Sequence, residues 1–444
     1  MGGLLVGDIT EASWRFHQNV PRFILEIETL VKEWGSPQVR TPKSVFVAPE
    51  CAMSYPVSSS VPFVDLSSQH GPLQADILAA VAAVLEKGDF ILGQALQEFE
   101  VAFAAASGAA HGVGMASGTD AIALGLQACG IGAGDEVILP ANTFVATLIG
   151  VVRAGATPVF VDCDPDTALM DLGAVAAAIT PRTRAILPVH LYGQMVSPSA
   201  LLSLAAQHKL LIFEDAAQAH LAEREGYRAG SVGIAAAFSF YPAKNLGCIG
   251  DGGMLLTQQE LIAQTGRSLR NYGAVRKYFH TEAGGTNSRL DTLQAAILNL
   301  KLPHLPEWNQ ARNQIARHYD QRLASLEEMG ILPIRNLSGS GHIYHLYVIR
   351  ITPTSPLDRT SFQLALEAQG IQTGIHYPVP CHLQPAFQSL GYQAGSFPQS
   401  EALSQEILSL PMYSGMTLAQ ADQVVDAIAQ ILHQAVRQPV DAVQ

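Results

Sequence analysis

The sequence has little charge and few cysteines. Charged residues make up 14% of the 444 residues, whereas hydrophobic residues make up 48%. A chain of this composition must bury a large apolar surface in its core or in a subunit interface, so we expect an oligomer. The five cysteines are odd in number and form no CxxC pair, which argues against a disulfide framework or a structural zinc site. We therefore expect reduced thiols, a cytoplasmic location and no metal site.

Signals for membranes and nucleic acid are also missing. The sequence has no apolar run of roughly 18 residues, the length that a membrane-spanning helix needs. Its first residues lack the basic start and sustained apolar stretch of a secretion signal. The formal net charge is -12, and no run of lysine and arginine interrupts the acidic balance. Nucleic acid is therefore not an expected partner, and local donors must hold any anionic ligand.

From residue 61 onward, short apolar segments alternate with helical ones. Several of the apolar segments lack a polar face, as expected for strands that helices cover on both sides. The alternation predicts an α/β fold in which a mostly parallel sheet is flanked by helices. In such sheets, ligands bind beyond the carboxyl ends of the strands. The predicted strands are HGVGMAS, DEVILPA, TPVFVDCD, RAILPVHLYG, KLLIFEDAA, AAFSFYPAK and GGMLLT.

The pattern divides the chain into three parts. Residues 1–60 are predicted to be a disordered or loosely docked extension, in which an amphipathic helix over residues 23–34 precedes a segment of linker composition. Residues 61–303 form the predicted large domain. Residues 304–444 begin with a long helix and continue with a strand and further helices. We interpret this last part as a linking helix and a smaller α+β domain.

A Ser-Gly-Thr turn separates the first predicted strand from a helix. The N–H groups and positive dipole end of a helix N-terminus suit a phosphate, and Gly118 lets the backbone approach it closely. The alternative is an ordinary capped helix, in which Ser117 or Thr119 accepts from the free N–H groups. This feature alone leaves both interpretations open.

Two further residues follow later strands. Asp215 ends the strand LLIFED, where a carboxylate is costly unless a cation or good hydrogen bonds accompany it. Lys244 follows SFYPA, where burial would disfavour the ammonium form and leave a nucleophilic amine. The alternatives are a helix-capping aspartate and a solvated surface lysine. Taken in order, the helix start, Asp215 and Lys244 are the parts needed to hold the phosphate, ring nitrogen and aldehyde of pyridoxal phosphate (PLP).

With these residues in this order, the chain resembles the DegT/DnrJ/EryC1/StrS family of sugar aminotransferases, which are fold type I PLP enzymes. The resemblance covers roughly residues 61–435. The motifs that carry it are SGTDAI, ANTFVAT, PVFVDCDPDT, PVHLYGQ, EDAAQAH, SFYPAKNLGCIGDGG, RNYG and NSRLDTLQAA. It implies a large domain with a mostly parallel mixed sheet and a smaller C-terminal α+β domain.

The resemblance also implies a role for each matching residue. Lys244 would bind the cofactor covalently and shuttle protons, and Asp215 would pair with the ring nitrogen. Asn287 would reach the phosphate of the neighbouring subunit, so that a homodimer would share its active sites. The remaining implied contacts are Gly118, Thr119 and Ser239 with the phosphate, Phe144 with the ring face and Gln218 with the phenolic side of the ring.

Subfamily features indicate the substrate. FSFYPAKNLG, LRNYGAVRKYFH and IHYPVPCHLQPAF resemble transaminases that act on dTDP-linked 3-keto-6-deoxyhexoses, with L-glutamate as the usual donor. His376 and Tyr377 would then lie near the hexose, although His376 could equally be a packed histidine in a proline-rich turn. Aminotransferases of UDP-linked 3-keto uronic acids or of 4-keto sugar nucleotides are the alternative. Candidate cations for the sugar's diphosphate are Arg270, Arg276, Lys277 and Arg289, the last of which could instead form a structural ion pair.

Three rival activities are less compatible with these residues. Dehydratases of the family carry a histidine at the position of Lys244. A sensor or binding protein without turnover would not need Lys244, Asp215 and Asn287 together. The EDAAQAH and NSRLD motifs weigh against a decarboxylase or lyase of the same fold type.

Overall fold

Short strands follow the apolar segments of the sequence. The computed structural model describes residues 60–437, so the helix predicted over residues 23–34 lies outside the described residues. The strands are β1 His111–Met115, β2 Glu136–Pro140, β3 Thr157–Val161, β4 Thr183–Ile186, β5 Leu211–Asp215, β6 Glu223–Arg224, β7 Tyr227–Arg228, β8 Ala235–Ser239, β9 Gly253–Thr257, β10 Ala274–Arg276, β11 Phe279–His280, β12 Ile331–Pro333, β13 Tyr347–Ile351 and β14 Ile407–Leu410.

The helices occupy the segments between these strands and both ends of the described region. Some end at a glycine, as α2 does at Gly88, whose φ of 71° is the left-handed conformation that glycine adopts most readily. The helices are α1 Ser67–His70, α2 Gln74–Lys87, α3 Gln94–Ala106, α4 Gly118–Ala128, α5 Val145–Ala154, α6 Leu172–Ala178, α7 Pro198–His208, α8 Glu260–Leu269, α9 Thr292–Lys301, α10 Leu305–Leu323, α11 Arg359–Ala368, α12 Pro398–Glu406 and α13 Leu418–Arg437. Within the described range, no helix combines the length and apolar character required to cross a bilayer.

The central sheet has seven strands in the order β1-β9-β8-β5-β4-β2-β3. Strand β9 is antiparallel to both of its neighbours, and the pairs β8–β5, β5–β4, β4–β2 and β2–β3 are parallel. The predicted α/β fold with a mostly parallel mixed sheet is therefore confirmed. Because β1, β5 and β8 run in the same direction, the residues after them meet at one edge of the sheet.

A smaller antiparallel sheet, β12-β13-β14, lies in the C-terminal part. Helices α10, α11 and α13 contribute buried side chains to its core, among them Tyr319, Phe362 and Ile428. Val61 joins this core as well, and its backbone N–H donates to the Gly370 carbonyl at 2.9 Å. The sequence did not predict that contact. A domain boundary at residue 303 stays a prediction.

Candidate active site

A cavity of about 350 Å³ opens where the strands end. The topology of the sheet explains its position, because segments distant in sequence converge at the carboxyl ends of parallel strands. Of the ten site residues predicted from the sequence, nine line this cavity: Gly118, Thr119, Phe144, Asp215, Gln218, Ser239, Lys244, His376 and Tyr377.

Lys244 lies in the turn that follows β8. Its backbone N–H donates to the carbonyl of Tyr241 at 2.8 Å, which fixes the turn. Its side-chain amine makes no hydrogen bond or ion pair with any residue of the described range. Burial lowers the pKa of Lys244 to about 8, although the nearby Asp215 carboxylate opposes the shift. The amine is therefore a stronger candidate nucleophile than a solvated lysine.

Asp215 is the last residue of β5, and its side chain is buried. One carboxylate oxygen accepts from the Thr147 hydroxyl at 2.7 Å, and the other accepts from the backbone N–H of Ala217 at 3.1 Å. Burial raises the pKa of Asp215, whereas these hydrogen bonds and the Lys244 charge lower it. No lysine, arginine or histidine of the described residues forms a salt bridge with this carboxylate. A ligand that brought a positive charge would offset the cost of burying it.

The start of α4 packs closely against the end of β8. Ser117 caps the helix, because its hydroxyl accepts from the N–H of Asp120 at 3.1 Å. The capping alternative is therefore correct for Ser117, but the backbone N–H groups of Gly118 and Thr119 have no acceptor among the described residues. A Cβ atom at Gly118 would lie 2.7 Å from the Cβ of Ser239. Glycine thus permits the contact that brings a helix N-terminus and a hydroxyl together, an arrangement suited to phosphate.

Gln218 forms part of the cavity wall. Its side-chain oxygen accepts from the backbone N–H of Tyr192 at 2.7 Å, and its amide nitrogen donates to the hydroxyl of Tyr377 at 3.1 Å. The hydroxyl of Tyr192 donates in turn to the carbonyl of His376 at 2.6 Å. The pair His376–Tyr377 is therefore fixed through its backbone and through one side chain. Phe144 completes this wall, with its ring 5.2 Å from that of Tyr377.

His376 is also held by neighbours. Its Nδ1 lies 2.8 Å from the hydroxyl of Ser409, and its ring stacks on Phe63 at 5.6 Å. Burial and the charge of Lys244 lower the pKa of His376 to about 4. The side chain is therefore neutral near neutral pH and is both packed and cavity-lining. Its contact with a sugar stays a prediction.

Comparison with known proteins identifies the family. The profile of the DegT/DnrJ/EryC1/StrS aminotransferase family matches residues 72–429. This chain belongs to that family. It is 46% identical to dTDP-3-amino-3,4,6-trideoxy-alpha-D-glucose transaminase of Streptomyces venezuelae over 368 residues, 83% of this chain and 95% of that protein. It is 41% identical to UDP-N-acetyl-3-dehydro-alpha-D-glucosamine 3-aminotransferase of Acidithiobacillus ferrooxidans over 378 residues, 85% of this chain and 99% of the relative.

Solved structures give the same fold. The crystal structure of S. venezuelae DesV in complex with a ketimine intermediate superposes with a TM-score of 0.80 at 44% identity, covering 87% of this chain and all of that one. The structure of NtdA from Bacillus subtilis with bound cofactor PMP gives a TM-score of 0.78 at 32% identity, covering 85% and 86%. The predicted fold type and the assignment as an aminotransferase are therefore confirmed, and the cofactor of the DegT/DnrJ/EryC1/StrS family is PLP.

The cavity of this family member fits that cofactor. The buried Asp215 carboxylate lacks a directly paired cation, which a protonated pyridine nitrogen would supply. The free N–H groups after Ser117, together with the Ser239 hydroxyl, suit the phosphate at one end. Lys244 has an unpartnered amine for the aldehyde carbon. PLP, when bound, supplies an electron sink for the reacting carbon.

Asn287 does not line this cavity. It is exposed, and it pairs through its backbone with Asn271 in an isolated antiparallel bridge. The next residue, Ser288, donates from its hydroxyl to Asp120 at 2.7 Å, which ties this segment to the start of α4. The structure therefore leaves Asn287 accessible on the surface of one chain, and its contact with a neighbouring subunit stays a prediction.

The four candidate cations occupy different environments. Arg270 is buried in an ion pair with Glu100, so the expectation that it is free to meet a nucleotide is wrong. Its burial follows from α8 packing against β1, which brings the guanidinium to the Gly114 carbonyl. Arg289 donates to the Asn271 side chain at 2.9 Å, which supports a structural role. The remaining two, Arg276 and Lys277, are exposed in the β10–β11 hairpin.

Sequence reasoning missed four residues that shape the cavity. Thr147 and Tyr192 lie within the motifs ANTFVAT and PVHLYGQ, so position in a motif was an available signal for them. They lie behind lining residues, to which they are hydrogen-bonded. Phe63 and His345 line the cavity themselves. Phe63 lies just after the predicted N-terminal extension, and His345 lies at the start of a segment typical of a strand. No local pattern distinguishes these two from core residues.

Proposed function

We propose that the protein transfers the amino group of L-glutamate to the 3-keto carbon of a dTDP-linked 6-deoxyhexose. The product would be a 3-amino sugar nucleotide. The observation that carries the proposal is the convergence of the Lys244 amine and the Asp215 carboxylate on one cavity. The similarity to the Streptomyces venezuelae transaminase over most of both chains supports the choice of substrate.

Each side chain has a task in this reaction. Lys244 first holds the cofactor and then, as a free amine, moves a proton to and from the carbon that carries nitrogen. Proton transfer by a positioned side chain typically raises the reaction rate by about 10²–10⁴-fold. Asp215 keeps a positive charge on the ring nitrogen. Gly118, Thr119 and Ser239 bind the phosphate, and Gln218 fixes Tyr377 beside the ring. Phe144 covers one ring face.

The charge of the cavity favours a neutral hexose. Among the described residues that line it, Lys244 is the one lysine and there is no arginine, and the Lys244 amine is committed to the cofactor. A uronic acid would bring a carboxylate that needs a cation of its own. His376 and Tyr377 instead offer uncharged contacts for hydroxyl groups. This distribution of charge favours a 6-deoxyhexose over a 3-keto uronic acid.

A second substrate class has support of its own. The similarity to a 3-aminotransferase named for a UDP-linked sugar covers 85% of this chain, so a UDP-linked 3-keto sugar is the alternative. A 4-keto sugar nucleotide is a further alternative. All of these would use the same Lys244 chemistry and would differ in contacts to the sugar and nucleotide.

We also propose that the active enzyme is a homodimer. Apolar or aromatic side chains are exposed in the single chain, with accessible fractions of 50% for Phe144 and 56% for Tyr241, which line the cavity, and 51% for Ile249. A subunit interface would bury them. Asn287 and the exposed hairpin cations, Arg276 and Lys277, would then approach the phosphate groups of the partner's ligands.

The described cysteines are all free thiols. They are Cys129, Cys163, Cys248 and Cys381. Reduced thiols agree with a cytoplasmic enzyme, which is the location that we propose.

The decisive experiment is an incubation of the purified protein with PLP, L-glutamate and a panel of keto sugars. The panel contains dTDP- and UDP-linked 3-keto and 4-keto hexoses, and a UDP-linked 3-keto uronic acid. Mass spectrometry and NMR identify the product. We expect amination at C3 of the dTDP-linked 6-deoxyhexose. Amination of the 4-keto sugars alone, or no amination of any of them, would contradict the proposal.

A matched variant tests the role of Lys244. We expect Lys244→Ala to lose both transamination and the visible absorption band of the protein-bound cofactor. Lys209→Gln, which removes an exposed lysine outside the cavity lining, should keep the band. Retention of band and activity in Lys244→Ala would overturn the assignment.

A further inference from the structure

Two polar groups on the wall of the cavity lack hydrogen-bond partners. The amine of Lys244 is a donor without an acceptor among residues 60–437. His345, which lines the same cavity, has one hydrogen-bonded ring nitrogen, Nδ1, and its Nε2 makes no hydrogen bond within that range. A donor and an acceptor left open at one cavity are complementary.

The neighbours of His345 determine which of its nitrogens carries the proton. The side-chain nitrogen of Asn245 lies 3.0 Å from the carbonyl of Ile343 and 2.8 Å from the side-chain oxygen of Asn309. Because a carbonyl can only accept, this atom of Asn245 must be the amide nitrogen. The amide oxygen therefore points at Nδ1 of His345, 3.2 Å away.

The same reasoning fixes the next link. The side-chain nitrogen of Asn309 donates to the carbonyl of His220 at 3.0 Å, so its oxygen is the atom that accepts from Asn245. Every amide in this network is oriented by a backbone carbonyl. Since Asn245 can only accept from His345, Nδ1 of His345 carries the hydrogen and Nε2 carries a lone pair.

We propose that His345 is a positioning residue whose Nε2 accepts a hydrogen bond from the Lys244 amine whenever that amine is free. The proposal rests on the role assigned to Lys244 under the proposed function. The Lys244–Asn245 peptide supports it, because the same network that orients His345 also anchors the residue next to the lysine. Through this bond, His345 would aim the amine while it holds or releases the proton.

The surrounding charges agree with a neutral His345. Burial lowers the pKa of His345 well below its ordinary value, and the charges of Lys244 and Arg312 lower it further. Arg312 is itself buried, and it donates to the carbonyls of Tyr344 and His345. An imidazole that stays neutral keeps its lone pair available across the range of pH in which the enzyme would work.

Other ionisable groups near Lys244 come from separate elements. Asp215 ends β5, His220 follows it, and His376 lies between α11 and α12. Burial lowers the pKa of His220 to about 3 and that of His376 to about 4, so both are neutral near neutral pH. His220 also has an unpartnered Nδ1. However, its ring packs among Phe103, Phe238 and Phe240, and it does not line the cavity.

The test measures the pKa of Lys244 in the full-length protein without cofactor. Trace acetylation across a range of pH, followed by mass spectrometry of each lysine peptide, reports the uncharged fraction of that amine. Lys209, which is exposed and does not line the cavity, serves as the internal reference. The variants are His345→Phe, which keeps a ring but no lone pair, and His345→Gln, which keeps an acceptor. His342→Phe, in the same loop but outside the cavity lining, controls for disturbance of packing.

We expect His345→Phe to lower the pKa of Lys244 by about one unit, because an acceptor stabilises the charged donor more than the neutral one. His345→Gln should restore most of the value, and His342→Phe should leave it unchanged. No shift in His345→Phe, or an equal shift in His342→Phe, would overturn the proposal.

A second measurement determines the tautomer of His345 in the wild-type protein. Wild-type protein labelled with ¹⁵N at histidine is studied by NMR, and the His345 signals are assigned with the His345→Gln protein. We expect His345 to be neutral with its hydrogen on Nδ1. A hydrogen on Nε2 would contradict the proposal outright.

These readouts separate this proposal from the proposed function. They need neither cofactor nor sugar, so a wrong substrate assignment does not affect them. Kinetics adds one more distinction, because the two half-reactions of a transaminase can be followed separately. Positioning of Lys244 predicts that His345→Phe slows the glutamate and sugar half-reactions to similar extents. A loss confined to the sugar half-reaction would show that His345 contacts the sugar instead.

Discussion

At the scale of one residue, replacing Asp215 tests most directly whether the cavity holds the cofactor as proposed. We predict that Asp215→Asn lowers kcat for transamination by about 10²–10³-fold, because an amide cannot stabilise a positive ring nitrogen as a carboxylate does. The visible spectrum of the bound cofactor and the rate of the glutamate half-reaction measure the loss. Thr147→Val is the control, since it removes one hydrogen bond to Asp215 and keeps the charge. Equal losses in both variants would contradict the electrostatic role.

Lys244 sets a pH dependence for attachment of the cofactor. The uncharged amine attacks the aldehyde, and burial lowers the pKa of Lys244 to about 8. Below that pH the ammonium dominates, so the rate should rise about tenfold per unit of pH and level off above pH 8. Mixing the cofactor-free protein with PLP and following absorbance gives the profile. A free lysine derivative, with its ordinary pKa near 10.4, should keep gaining rate up to about pH 10. A protein profile that matches this derivative would rule out a buried, activated amine.

At this scale, the sequence predicted residues that lie at the end of a strand or in the turn that follows one. Asp215 and Lys244 could be found because burial makes a charged residue there unusual. Arg270 was misassigned because its partner, Glu100, lies 170 positions away in the chain, and no local pattern announces such a pair. His345 was missed for a related reason, since its neighbour Asn245 comes from a distant segment.

At the scale of the element, the buried carboxylate of Glu214 holds the end of β5 to the segments around it. Glu214 accepts from the imidazole of His190 at 3.0 Å and from the backbone N–H groups of Gly230, Val232 and Gly233 at 2.8–2.9 Å. We predict that Glu214→Gln lowers the free energy of unfolding by about 3–5 kcal/mol, because the new amide NH₂ faces groups that donate. Urea denaturation measures the change. Glu223→Gln, at an exposed ion pair with Arg228, should change stability by less than about 1 kcal/mol. A midpoint for Glu214→Gln as high as that of the control would refute the prediction.

Helix α4 reaches the cavity because Gly118 has no side chain. We predict that Gly118→Ala weakens PLP binding, since the added methyl would lie 2.7 Å from Ser239 Cβ and push the helix from β8. Overpacking of this kind costs about 1–3 kcal/mol. Titration of cofactor absorbance gives the affinity. Gly132→Ala is the matched control, because its nearest contact, the Ala154 carbonyl oxygen, would lie 3.5 Å away. Unchanged affinity in Gly118→Ala would show that α4 does not need this close packing.

The order of elements was predictable because alternating strands and helices imply parallel crossovers. The β9 strand, antiparallel to both neighbours, was not foreseen individually, since an apolar run does not reveal its direction. The contact of Val61 with the C-terminal core could not be predicted from the sequence either. It joins residues 61 and 371 through one parallel backbone bridge, with no pattern in the sequence around either.

At the scale of the whole molecule, each active site of the proposed dimer would contain residues from both chains. In the proposed dimer, Lys244 of one protomer works with Asn287 of the other. We predict that Lys244→Ala and Asn287→Ala proteins are each strongly impaired, and that mixing them after reversible dissociation restores activity. Random reassociation makes half of the dimers hybrid, and each hybrid has one intact site. About one quarter of wild-type activity should therefore return.

The measurement is turnover before and after mixing, with sedimentation to establish the dimer. Mixing Lys244→Ala with Asp215→Asn is the control, because both residues belong to the same chain's cavity. Each site of that hybrid carries one defect, so no activity should return. Recovery in the control would mean that Lys244 and Asp215 do not act in the same chain's site. No recovery in the Lys244→Ala and Asn287→Ala mixture would mean that Asn287 does not serve the neighbouring subunit. The exposed position of Asn287 in the single chain would then require another explanation.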